Sequence, residues 1–121
     1  MARRVLAVDD SKTMRDMVNF TLRNAGFEVF EAEDGVKALA LAKTQSVDVV
    51  LTDINMPNMD GVTLVKELRA LPQFRSTPIL VLTTEGNEDK KMAGRAAGAT
   101  GWIVKPFAPD KLIAVVNKVC P

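Results

Sequence analysis

Four short runs of this chain are almost wholly apolar and rich in β-branched residues: Val5 to Val8, Val47 to Ile54, Ile79 to Thr84 and Trp102 to Val104. A more polar candidate strand lies at Glu28 to Glu31. Strict alternation of apolar and polar residues would mark a sheet with one wet face. Near-continuous apolar character instead requires strands covered on both faces, which is the habit of parallel α/β sheets.

The intervening stretches have helical spacing. Met14, Met17, Val18 and Leu22 recur at that period ahead of Gly26, a residue suited to the left-handed position that closes a helix, and Ser11 is placed to cap its start. A second helix is predicted after Asp34 with Val36, Leu39, Ala40 and Lys43. A third holds Leu64, Val65, Leu68 and Leu71 and ends near Pro72; a fifth holds Leu112, Val115, Val116 and Val119 after Pro109-Asp110. The fourth, about Glu88 to Ala97, has an apolar side of mostly Ala and Met and an internal Gly94, which costs about 1 kcal/mol relative to Ala. It is expected to be the loosest helix, either packed closely through its small residues or free to shift. The predicted order is β-α five times over: a five-stranded parallel sheet with helices on both faces.

A chain of 121 residues forms one domain and buries roughly two thirds of its unfolded surface without staples. Residues 1–121 are expected to be that one domain, with no second domain or output domain. The single Cys120 can make no intrachain bridge, so an intracellular, cytoplasmic setting is expected. No apolar run approaches a membrane span or a signal-peptide core. With 16 Lys and Arg against 15 Asp and Glu, the net charge of +1 gives no footprint for direct nucleic-acid binding. A monomer is expected.

The absence of His and the single Cys exclude a Ser-His triad, a Cys-His pair and an ordinary zinc site. The usual nucleotide-phosphate loops are also missing. Carboxylates, Lys and hydroxyls must carry any chemistry. Right-handed crossovers gather the strand C-termini of a parallel sheet along one edge. That rule brings together Asp9 and Asp10 after strand 1, Asp53 at the end of strand 3, Thr83 and Thr84 at the end of strand 4, and Lys105 after strand 5.

A lone Asp at a strand end is ordinarily a helix cap. Three at one rim are different, because two carboxylates ~4 Å apart repel by about 4 kcal/mol at an effective dielectric near 20. A shared cation removes that strain, and an all-oxygen site without a dedicated cage suits Mg²⁺, which keeps waters and accepts a phosphate oxygen. With Lys105 and the Thr83 hydroxyl alongside, the parts for stabilising a phosphoryl group in transfer are present, and Asp53 is placed as the nucleophile that forms an acyl phosphate.

The fragments "AVDDS", "LTDINMPNMDG", "VLTTE" and "WIVKPF", in that order over positions 7 to 107, resemble the receiver domain of two-component response regulators, and most of all its single-domain chemotaxis members. The resemblance covers essentially the whole chain and implies a flavodoxin-like fold with strand order 2-1-3-4-5. It implies that Asp9, Asp10, Asp53 and the backbone carbonyl of Asn55 hold Mg²⁺. Asp53 would accept phosphate from the phosphohistidine of a sensor histidine kinase. Thr83 and Lys105 would contact the phosphoryl group, Lys105 preceding a cis bond to Pro106. Trp102 stands where the family has an aromatic switch coupled to Thr83, so the face of helix 4, strand 5 and helix 5 is the implied output surface, with Lys90, Lys91, Lys111 and Lys118 available to make it basic. Asn55 and Glu85 occupy the positions that tune dephosphorylation, and the pair implies a short-lived phosphoryl group.

These features imply a switch that phosphorylates and dephosphorylates itself without turning over an external substrate, and that binds a target such as the flagellar motor switch. A dedicated phosphatase is a possible further partner. Other readings stay open: a single-domain phosphorelay shuttle or phosphate sink with the same chemistry, an interaction module that keeps only the fold, or a phosphatase of the Asp-nucleophile type. Against the interaction module stands the full acidic set, and against the phosphatase stands Asn55 where a general acid is needed.

Overall fold

The computed structural model describes residues 3–84 and 88–120. The strands are β1 (Arg4–Val8), β2 (Glu28–Ala32), β3 (Val49–Asp53), β4 (Ile79–Thr84) and β5 (Gly101–Lys105). The helices are α1 (Lys12–Asn24), α2 (Gly35–Thr44), α3 (Gly61–Arg69), α4 (Glu88–Ala97) and α5 (Pro109–Val119), with a short 3₁₀ turn at Pro72–Phe74. All strand pairs are parallel, in the order β2-β1-β3-β4-β5. This is the expected flavodoxin-like architecture. No helix among the described residues is long and apolar enough to cross a membrane.

The continuous apolar runs have the expected cause. Val5, Ala7, Val49, Leu51, Leu80, Leu82 and Ile103 pack with Val18 and Leu22 of α1 and Leu112 and Val116 of α5. Their neighbours Leu6, Val8, Val50, Ile79 and Val81 pack on the other side with Ala38 and Ala42 of α2 and Leu64, Val65 and Leu68 of α3. Successive strand residues therefore enter opposite cores, and both must be apolar.

The ends of the elements follow local chemistry. Ser11 accepts a hydrogen bond from the Met14 N–H at 3.2 Å, Asp34 from Lys37 N–H at 2.8 Å and Asp60 from Thr63 N–H at 2.8 Å, each satisfying a free donor at a helix start. Gly26, at φ 95°, closes the turn after α1 in the left-handed region.

Several boundaries and faces differ from the sequence expectation; α3, for one, ends at Arg69 and leaves Leu71 outside it. The third apolar run is a strand over Val49–Asp53, shorter than Val47 to Ile54. At its start the Asp48 carboxylate takes the Arg4 N–H at 2.7 Å while the Asp48 N–H still donates to the Arg4 carbonyl at 2.8 Å, and at its end the Asp53 side chain takes the Ile54 N–H at 2.8 Å. In α2 the buried positions are Gly35, Ala38 and Ala42, while Val36 is exposed, because small residues let this helix lie close to its neighbours. In α4 the buried position is Gly94 and Met92 is 70 % exposed, so Met92 is not part of the packed side. A Cβ on Gly94 would lie 3.5 Å from Val81 Cγ2, an ordinary van der Waals distance, so this position faces the sheet without lack of space requiring a glycine.

Candidate functional site

The crossovers deliver the acids to one rim. Asp9 directly follows β1 and is 3 % exposed; Asp10 beside it is exposed; Asp53 is the last residue of β3. Each offers a carboxylate oxygen, and these oxygens lie within 4.8 Å of one another. Lys105, at the end of β5, places its Nζ 3.2 Å from Asp9 Oδ2 and 3.3 Å from Asp53 Oδ2. One ammonium thus bridges two of the three acids.

Two of the three carboxylates are aimed by a main-chain donor. Asp9 Oδ1 accepts the Ser11 N–H at 2.9 Å, and Asp53 Oδ1 accepts the Ile54 N–H at 2.8 Å. The remaining oxygens are the ones turned to Lys105. Burial pushes the Asp53 carboxyl above the ordinary carboxylate range; Lys105 pulls it back, and the neighbouring Asp9 charge pushes it up again. An oxygen-only donor set gathered at this spacing, with its negative charge in excess of the single Lys, fits a hard divalent cation that keeps several waters.

Thr83 is buried at 2 % exposure one residue before the end of β4, and its hydroxyl donates to the Thr84 carbonyl at 3.4 Å. Asn55 is exposed two residues beyond Asp53. The Lys105–Pro106 peptide is cis, as the family resemblance implied. Glu85, the other residue assigned to dephosphorylation, lies outside the described residues. Trp102, which the resemblance puts at the switch position, has its indole 39 % exposed on the outer strand β5, beside α4.

Sequence reasoning missed the supports of the β3–α3 loop. A Cβ on Gly61 would sit 2.2 Å from the Asp53 carbonyl oxygen, and the Gly61 N–H donates to Ile54 O at 2.8 Å. The start of α3 can therefore press against the strand end that carries Asp53 only with glycine there. Asn58, at φ 67°, donates from its side chain to Asp34 Oδ2 at 3.0 Å and so fastens the loop to the start of α2. The Lys37 N–H and, after it, the Asn58 side chain hold the Asp34 carboxyl below the ordinary range. Asn is among the few residue types at ease with positive φ, so the Pro-Asn-Met-Asp-Gly string carried a turn signal that could have been read. Arg15 was missed as well; its guanidinium donates to the Asp9 carbonyl at 2.6 Å from the first turn of α1.

The family described as "Response regulator receiver domain" matches residues 5–117. The chain is a response regulator receiver domain. Within that family the receiver is CheY-like. It is 44 % identical over 111 residues to the chemotaxis protein CheY homolog of Campylobacter jejuni, covering 90 % of this chain and 85 % of that one. It is equally identical to chemotaxis protein CheY1 of Helicobacter pylori strain J99, with 90 % of each covered. Among solved structures, the receiver superposes on chemotaxis response regulator CheY4 of Vibrio cholerae with a TM-score of 0.94 and 50 % identity, over 98 % of this chain and 99 % of that one. It also superposes on the receiver domain of the sensor histidine kinase PA1611 of Pseudomonas aeruginosa, solved with magnesium coordinated in its active-site cleft. There the TM-score is 0.92 at 27 % identity, over 99 % and 98 % of the two chains.

Proposed function

We propose that this receiver is a phosphorylation-driven chemotaxis switch. In this reading Asp53 accepts a phosphoryl group from the phosphohistidine of a sensor kinase, and the modified protein binds a target such as the flagellar motor switch. The observation that carries the reading is the meeting of Asp9, Asp10 and Asp53 within 4.8 Å beneath one Lys105 ammonium.

The free oxygen of Asp53 attacks phosphorus while the phosphorus–nitrogen bond to the kinase imidazole breaks, its electron pair leaving with that nitrogen. An acyl phosphate on Asp53 results. Lys105 sits 3.3 Å from the attacking carboxylate, close enough to turn its ammonium from the bare acid to the phosphoryl oxygens. Asp9, Asp10, Asp53 and the Asn55 carbonyl would hold Mg²⁺, which would supply charge neutralisation for the transferring group. The Ile54 N–H keeps the other Asp53 oxygen engaged, so a single oxygen is presented for attack. Thr83 then donates to the phosphoryl group, giving up its 3.4 Å contact with Thr84 O, and Trp102 follows toward the space it leaves. Asn55 and Glu85 govern the approach of the water that restores Asp53.

Phosphoryl transfer is tested by mixing the protein with Mg²⁺ and a radiolabelled histidine kinase, alongside Asp53→Asn. Label should reach the wild type and not the variant, and phospho-Asp53 should decay within seconds to minutes. Label on Asp53→Asn, or none on either protein, overturns the assignment.

A further inference from the structure

The face that carries Trp102 holds a contact unlike an ordinary solvated lysine. Lys91 lies three residues before Gly94, the position α4 sets against Val81, so the two share a face of the helix. Its side chain is 11 % exposed. The Lys91 Nζ stands 5.7 Å from the centroid of the Trp102 ring, within cation–π reach, and 3.3 Å from Glu88 Oε1 one turn back on α4. The ammonium is therefore held between a carboxylate and the indole it covers.

The alternative place for the indole follows from strand register. Val81 of β4 pairs with Trp102 of β5, and Thr83 pairs with Val104. Side chains two apart on a strand share a face, so Trp102 and Thr83 look to the same side of the sheet, one register step from each other. An indole that turns toward Thr83 must leave the Lys91 ammonium.

We propose that Lys91 is an autoinhibitory positioning residue: its ammonium, braced by Glu88, holds Trp102 in the outward position and opposes the inward turn that accompanies phosphorylation. The inference rests on the switch reading above and adds a regulator to it. A contact present only in the outward state shifts the equilibrium by its own strength, about two- to five-fold for a cation–π pair near the surface. By reciprocity, what favours the outward indole weakens the binding of a phosphoryl mimic by the same factor.

The chain has one Trp and no Tyr, so its fluorescence reports this position alone. Acrylamide quenching is measured on the full chain without phosphate or metal for the wild type, Lys91→Met, Lys91→Arg and Glu88→Gln. Beryllofluoride is then titrated in the presence of Mg²⁺. Lys91→Met is expected to lower the quenching constant, although it removes the group lying on the indole, and to tighten beryllofluoride binding about two- to five-fold. Glu88→Gln should move both in the same direction by less, and Lys91→Arg should restore both. A cover with no bearing on the switch predicts the reverse, easier quenching in Lys91→Met with unchanged beryllofluoride affinity, and that result overturns the proposal. If the wild type itself does not take up beryllofluoride, the switch reading has failed, and the sign of the quenching change alone decides whether Lys91 holds the indole outward.

Discussion

Lys105 and Asp9 stand 96 positions apart in the chain and meet at 3.2 Å, with both side chains largely removed from water. Taking one partner from a buried ion pair leaves an uncompensated charge, a change that costs about 3 kcal/mol or more. Lys105→Met should therefore lower stability by about 3 kcal/mol in metal-free denaturant titrations. The same variant should lose kinase-dependent labelling of Asp53. Saturating Mg²⁺ should narrow the stability gap, because a second cation then faces the same acids.

The carboxylates of the rim also predict a pH dependence. The folded-state pKa of Asp53 lies above its ordinary 3.8, so the folded protein holds this proton more tightly than the unfolded chain does. Its contribution is therefore fully present below 3.8 and is lost as the pH rises through the raised value. Asp34 and Asp60, held below the ordinary range by hydrogen bonds at helix starts, act with the opposite sign and lose their contribution as the pH falls through their lowered values. Subtracting the metal-free stability curve of Asp53→Asn from that of the wild type isolates the Asp53 term. The difference should fall with rising pH. Mg²⁺ should stabilise the wild type at neutral pH, by about 2.7 kcal/mol at one hundred times its dissociation constant, and Asp10→Asn should respond less.

Gly61 is predicted to be intolerant of any side chain. An added Cβ would lie 2.2 Å from the carbonyl oxygen of Asp53 and 2.9 Å from Ile54 Cα, main-chain atoms that no rotamer change can move. Gly61→Ala should lose about 3 kcal/mol in urea unfolding, at the upper end of overpacking costs. Phospho-acceptance by the folded fraction should also fall, since relief of the clash displaces Asp53. Gly101→Ala serves as the control, because its Cβ would meet Leu80 Cδ2 at an ordinary 3.6 Å.

Arg69 makes a clamp with no carboxylate in it. Its guanidinium donates to the carbonyls of Phe74 at 2.5 Å, Thr77 at 2.7 Å and Gly98 at 3.0 Å, joining the end of α3, the lead into β4 and the turn after α4. Hydrogen bonds from a charged donor are worth about 1.5–3 kcal/mol each and do not add fully. Arg69→Met, which keeps the apolar stem, should cost about 2 kcal/mol or more by thermal unfolding. Hydrogen exchange at Gly98 and Thr100 should rise with it.

The fold was legible because both cores draw on the same short strands: only a two-faced sheet needs every residue from Val5 to Val8 to be apolar. The acids were legible because strand polarity assigns the ends to one rim without any distance being known. The orientation of Trp102 was not. Aromatic character says that a residue can be buried, while exposure was decided by its place on an outer strand beside a helix that presents Lys91. The second helix misled for a related reason. Its period was right, but the face that closes on the protein is set by how near Met59 comes to Gly35, where a Cβ would meet the Met59 oxygen at 2.7 Å. Gly61 and Arg69 act through main-chain atoms of distant segments, which composition and spacing do not encode.

The alternation of strand residues between two cores has a consequence for how such a protein can vary over evolutionary time. Adding or deleting a single residue inside a strand would reverse the allegiance of every side chain beyond it, sending half of each core into the other. Heritable change is thereby steered away from strand length and into substitutions along the connecting segments. The acidic rim keeps its place only while the residue count of each strand is kept, whereas the helices around it can change sequence without moving it.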